Sequence, residues 1–250
     1  TVTNFIANDA TVTVGYTQSS SDSAKMKDTA GNAVATLSSA KSVTVTNDST
    51  LPTVSSVTSS TSDGTFKVGD TVAVQVKFSE AVVVTTAGGT PKITMETGTT
   101  DRSVNYTSGS DSDTLVFNYT VQNGDVASDL DYTGTTALAL NGGVIKDIAG
   151  NAATLTLKSP GATGSLGNAK ALVVDGALPT VSTAAANAGT KTITLTMSEN
   201  VSGSPANGDF SVLVGSASNA VTNVAISSKS VVLTVTNFIA NDATVTVGYT

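Results

Sequence analysis

The chain has no cysteine, no histidine and no tryptophan, and only five tyrosines and six phenylalanines in 250 residues. Without cysteine it forms no disulfide, and the usual zinc and haem ligand sets are missing. The common nucleophilic triads and dyads need a histidine or a cysteine, so they are excluded as well. No Gly-x-Gly-x-x-Gly phosphate loop is present. Basic residues are scarce, 12 against 19 acidic ones for a net charge of −7. A nucleic-acid partner would need a basic stripe, so none is expected. Acidic oxygen-rich loops do suit divalent cations. No apolar run reaches membrane-spanning length, and no signal-peptide pattern opens the chain. The segment therefore reads as extracellular in type, with any targeting segment outside it.

What the chain has in excess is threonine, 43 residues, more than its acidic and basic residues together. Thr and Val are β-branched, and their restricted χ1 favours pleated strands over helices. Alternation recurs along the chain, in TVTVGYT, KSVTVTN, TVAVQVKF, KTITLTM and SVVLTVT. Strands of this length, separated by Gly, Asn, Asp and Ser, predict an all-β sandwich with no significant helix.

The stretch TVTNFIANDATVTVGYT occurs twice, at residues 1–17 and 234–250, an offset of 233 residues. Three shorter motifs also recur. Asp-x-x-x-Pro-Thr-Val-Ser spans Asp48 to Ser55 and Asp175 to Ser182. Ser-Glu follows a strand at Glu80 and at Glu199. Lys-Asp-x-Ala-Gly-Asn-Ala occurs at Lys27–Ala33 and Lys146–Ala152. These motifs divide the chain into three parts. Residues 51–177 form one complete unit, and residues 1–50 form the C-terminal part of a second type. Residues 178–250 form the N-terminal part of that second type, completed by a segment equivalent to 18–50. Joined, 178–250 and 18–50 fill the rest of the 233-residue period, as expected for a window on an alternating tandem array.

The composite of 178–250 and 18–50 resembles bacterial Ig-like repeats of the SwmB type, found in very large bacterial surface proteins. The residues that carry the resemblance are KTITLTMSENV, DFSVLV, VVLTVTN, DATVTVGYT, KDTAGNAV and VTVTN. The unit at 51–177 is similar to longer repeats of giant adhesin-like proteins, through DGTFKVGDTVAVQVKFSEAV, SDTLVFNYTVQNGD, DLDY, KDIAGNAATLTL and SLGNAKALVVDG. The resemblance implies tandem Ig-like β-sandwich domains of Greek-key type and a structural or adhesive role at the bacterial cell surface or outside the cell.

An Ig-like topology of seven strands returns the loop after the second strand and the loop before the last strand to the pole where the linker enters. Asp48, Glu80, Asp147 and Asn151 are then expected to converge. Asp175 and Glu199 are expected to meet Asp28 and Asn32 from a neighbouring copy. Carboxylates gathered in this way repel one another unless a hard cation holds them, and Ca2+ is the candidate. The alternative is that these are ordinary turn residues, since Asp and Asn before Gly bond their own backbone. Asp125, Asp129 and Asp131 offer a second ion site, but read more readily as a polar corner above Tyr132. Asn47, Asn105, Asn118 and Asn200 begin Asn-x-Ser/Thr sequons, which a Thr-rich chain also produces by accident.

The acidic residues sit in turn motifs that recur between units, as scaffold residues do, so no enzymatic activity is expected. Expected partners are neighbouring copies of the same repeat, in the same chain or head to tail. Surface glycans are an alternative partner. Completion of the cut unit by strand exchange between subunits is an alternative assembly.

Overall fold

The computed structural model describes residues 11–14, 16–36, 41–44 and 48–250. Near the start, β1 (Thr11–Val14) pairs antiparallel with β2 (Lys41–Thr44), Val12 opposite Val43 and Thr13 opposite Ser42. Most of the first copy of the repeated stretch, and the sequon at Asn47, lie outside the described residues.

The central unit contains β3 (Val54–Ser59), β4 (Gly64–Lys67), β5 (Thr71–Thr85), β6 (Lys92–Glu96), β7 (Arg102–Ser108) and β8 (Ser112–Thr120). After them come β9 (Val126–Ala127), β10 (Asp131–Tyr132), β11 (Leu138–Ala139), β12 (Val144–Lys146), the single turn α1 (Leu166–Ala169) and β13 (Leu172–Asp175). Eight strands make one sheet, with the path β10-β6-β7-β8-β5-β12, β11 on β6 and β3 on β5. A smaller sheet, β4-β13-β9, faces it across a shared core. The unit is thus larger than a seven-stranded sandwich, and β13 pairs with β4 in parallel. The added strands β9 to β11 are two-residue pieces within the long connection from β8 to β12.

Period-two patterning builds this core directly. Along β5, Val72, Val74, Val76 and Phe78 point inward and are essentially fully buried, facing Leu115, Phe117 and Tyr119 of β8. The Ser-Glu motif does not end the strand as its sequence suggests. The ladder instead jumps from Lys77 opposite Thr114 to Val82 opposite Ser112, so Phe78–Ala81 bulge from β5, which then runs on to Thr85. Such a bulge re-aims side chains without breaking the strand.

The second unit contains β14 (Val181–Ala186), β15 (Thr192–Met197), β16 (Phe210–Val214), β17 (Ala217–Ser218), β18 (Val221–Ser227), β19 (Ser230–Val235) and β20 (Val245–Tyr249). Its sheets, β14-β15-β19-β18 and β17-β16-β20, enclose a separate core around Ile193, Val212, Leu233 and Ile239. The protein is therefore an all-β assembly of packed sheets. Among the described residues, helix is confined to α1 and two short 3-10 turns.

At the far end of the central core lies a polar anchor. Arg102, the chain's only arginine, holds the buried Asp125 through Nε and Nη2, both at 2.7 Å from Oδ1. The Tyr119 hydroxyl donates to Asp125 Oδ2 at 2.7 Å, as does the Gln122 backbone N–H at 2.9 Å. Burial, together with the bond to Asp125, pushes the Tyr119 hydroxyl pKa upward, so the group remains a donor. Asp131 caps the same region by accepting from the Gly161 and Tyr132 N–H groups, with Tyr132 buried beneath it. Replacing one partner of a buried ion pair leaves the other charge uncompensated. Asp125→Ala is therefore expected to destabilise the central unit by about 3–5 kcal/mol, read from chemical denaturation. A loss below about 1 kcal/mol would show that Arg102 re-solvates freely.

Candidate metal centre

Three chain segments build one pole of the central unit. The first is the lead-in to β3. The Thr53 N–H donates to Ser79 Oγ at 3.0 Å, and the Ser79 N–H donates to the Thr53 carbonyl at 2.8 Å. This reciprocal clasp ties the entering chain to the β5 bulge. Asp48 is placed just ahead of it, its Oδ1 accepting from the Thr50 N–H at 3.0 Å.

The second segment is the bulge itself, which turns Glu80 toward the incoming chain. The third is the turn after β12. Here Asp147 Oδ1 accepts from the N–H groups of Gly150 at 2.7 Å and Asn151 at 2.8 Å. Gly150 adopts a φ of 102°, the left-handed region that glycine tolerates and other residues resist, which is why the motif reads Ala-Gly-Asn. The Asn151 side-chain amide then donates twice, to Asp147 Oδ2 at 2.7 Å and to the Asp48 carbonyl at 2.8 Å. Asn151 is thus the stitch between turn and linker.

The result is a trio. Carboxylate oxygens of Asp48, Glu80 and Asp147 all lie within 4.8 Å of one another, with Asp48 exposed, Glu80 half-buried and Asp147 buried. Their environments differ. Burial raises the Asp147 pKa, but hydrogen bonds from the Asn151 side chain and from the backbone of Asn151, Gly150 and Ala149 outweigh it and hold the carboxyl below its ordinary value. Glu80 has no such support. Desolvation first, then the charges of Asp48 and Asp147, push its pKa up, and its Oε1 is buried without a hydrogen-bond partner. One orphaned oxygen beside two further carboxylate groups is a donor set for a hard, oxygen-seeking cation.

The second unit repeats part of this pole. The Thr180 N–H donates to Ser198 Oγ at 2.9 Å and the Ser198 N–H to the Thr180 carbonyl at 2.8 Å, the same clasp ahead of Glu199. The Asp28 turn is likewise a copy of the Asp147 turn. Asp28 Oδ1 accepts from the Ala30 and Asn32 N–H groups, the Asn32 amide donates to Oδ2 at 3.0 Å, and Gly31 has a φ of 91°. Among the described residues, however, the only group of three carboxylates is Asp48, Glu80 and Asp147. Asp175, Glu199 and Asp28 are not brought together within the chain. The sequon asparagines Asn105, Asn118 and Asn200 are exposed.

Comparison with known proteins adds one match. Residues 200–250 match the SWM repeat family, described as a "Putative flagellar system-associated repeat". The matched span runs from the loop after the second Ser-Glu motif through β20, and so includes the closing copy of the seventeen-residue stretch. The SWM repeat match supports the resemblance read from the sequence and marks this part of the chain as a structural repeat module. No curated protein and no solved structure matches the chain. Among the described residues, no helix is long and apolar enough to cross a membrane.

A pH dependence follows from the raised Glu80 pKa. A carboxyl whose folded pKa is raised contributes stability that is present below its unfolded value, 4.5, and lost as pH climbs through the folded value. In divalent-free buffer, Glu80→Gln and the native chain are expected to melt alike near pH 4. Glu80→Gln should melt increasingly higher as pH rises toward 7. A difference in melting temperature that stays flat with pH would contradict the assignment.

Proposed function

We propose that the chain is a structural, adhesive-type segment of a repetitive bacterial cell-surface or extracellular protein, a string of β-sandwich repeats stiffened by calcium where one repeat meets the next. The reading rests mainly on one observation. The Asp48–Glu80–Asp147 trio joins the linker, the β5 bulge and the turn after β12, so a cation shared by the three fixes the angle at which the preceding repeat enters.

Asp48, Glu80 and Asp147 would hold the ion. Its charge would offset their mutual repulsion and satisfy the otherwise orphaned Glu80 oxygen. The contribution of the chain's own residues is positional. Asn151 and Gly150 fix the Asp147 carboxylate, and the Thr53–Ser79 clasp holds the linker against the bulge. The family description, which associates the matched repeat with a flagellar system, supports a structural module of this kind. The role is mechanical and involves no catalytic step. In such arrays, stability sums over repeats and their nearest-neighbour contacts.

Calcium binding to the folded state alone raises the melting temperature by mass action. At a calcium concentration about a hundred times the Kd, the native chain is expected to gain roughly 5–10 °C. EDTA should reverse the gain, and Glu80→Gln should remove it. A melt of the native chain that is the same in calcium and in EDTA would refute the calcium reading.

A further inference from the structure

The chain enters and leaves the central unit at opposite ends. Thr53 is clasped to Ser79, at the end of β5 where Val54 of β3 faces Phe78. Gly176 lies at the other end, against the Gln122–Asp125 turn that follows β8, whose Thr120 faces Thr71 at the start of β5. The strands next to the two linkers, β3 and β13, therefore both run along the line from entry to exit. Tension drawn through the linkers loads each of them along its own axis.

β13 is held on both sides. It pairs with β4 in parallel from Leu172 opposite Gly64 to Asp175 opposite Lys67, and with β9 in antiparallel fashion at Val174 and Asp175. The hydrogen bonds of a ladder run across the strands, so an axial pull shears all of them together, whereas a sideways pull breaks them one after another. Sliding by one residue would also turn Leu172 and Val174, both buried, out of the core. β3 is seated in the same way, along β5 and through its Val57 N–H, which donates to the Gly164 carbonyl at 2.8 Å.

Just past β13 the chain is latched once more. The Gly176 N–H donates to the Asp125 carbonyl at 2.7 Å, and the Gly124 N–H donates to the Gly176 carbonyl at 2.9 Å. Gly176 is buried, and a Cβ there would collide with the Gln122 carbonyl, so only glycine closes this latch. The turn that receives it is the one braced from within by the Arg102–Asp125 pair and the Tyr119 hydroxyl. After Asp48, ahead of the central unit, the corresponding residue is Ser49. The recurring motif does not itself demand a glycine, and one stands where the central unit hands the chain on.

We infer that the central unit is a load-bearing module, with β4, β13 and the Gly176 latch forming a shear clamp at its exit. Its resistance depends on the direction of pull, firm along the axis from linker to linker and weak across it. Forced unfolding is governed by the barrier met on the pulled path and not by equilibrium stability, so direction alone changes the force. Arg102 and Asp125 are positioning residues here, holding the latch turn against the core. Tension reaches the linkers when the segment is one link in a repetitive protein, so the clamp's role rests on that part of the proposed function. The clamp itself uses none of Asp48, Glu80 and Asp147.

The absence of cysteine lets force be applied at chosen residues of the full chain. Thr50→Cys with Ala177→Cys places handles on the two linkers. Val68→Cys with Ala177→Cys places both handles at the exit end, where they part β13 from β4 sideways. All three residues are exposed. In single-molecule pulling in EDTA, the linker pair should give one rupture of the central unit that releases about 40 nm of chain. Its force should be roughly twofold or more above that of the first rupture of the sideways pair. Relative to the stability each loses in denaturant, Gly176→Ala should lower the linker-axis force more than Val104→Ala, a core substitution on β7 away from the load path. Equal forces along the two axes, a weaker linker axis, or a Gly176→Ala effect no larger than that of Val104→Ala would each overturn the clamp. A difference between axes that holds in EDTA supports the clamp even if calcium binding fails, so the two readings fall separately.

Discussion

Three carboxylates held within 4.8 Å of one another repel, and the chain spends much of its local structure keeping them there. The β5 bulge, the left-handed glycine at 150, the double donation from Asn151 and the Thr53–Ser79 clasp all converge on that pole. Apart from Phe78, which the bulge still turns into the core, the residues of these devices lie outside the hydrophobic core. They fix where the incoming linker lies, and a cation that neutralises the trio strengthens the constraint in proportion to its affinity.

Much of this was legible in the residues, for physical reasons. Alternation in TVAVQVKF and KTITLTM specifies buried strand faces regardless of context, so the all-β fold follows. The pole was legible because its motifs recur: a carboxylate before Pro-Thr-Val, another after Ser, a third before Ala-Gly-Asn. Other features depend on long-range pairing that no local pattern reveals. The bulge that carries β5 past Glu80 depends on its pairing with β8, and the parallel pairing of β13 with β4 joins strands far apart in sequence. From sequence, Asp125 reads only as part of a polar corner. Its burial against Arg102 was signalled only by Arg102 being the sole arginine, the residue best suited to a buried pair.

The central claim is that the linker, the Ser-Glu bulge and the Asp-x-Ala-Gly-Asn turn together make an ion site at Asp48, Glu80 and Asp147. Calcium stoichiometry measured by equilibrium dialysis on the native chain and on Glu80→Gln tests it most directly. The account predicts about one bound ion at this pole of the native chain and its loss in Glu80→Gln. No bound calcium in the native chain, or the same stoichiometry in Glu80→Gln, would contradict it.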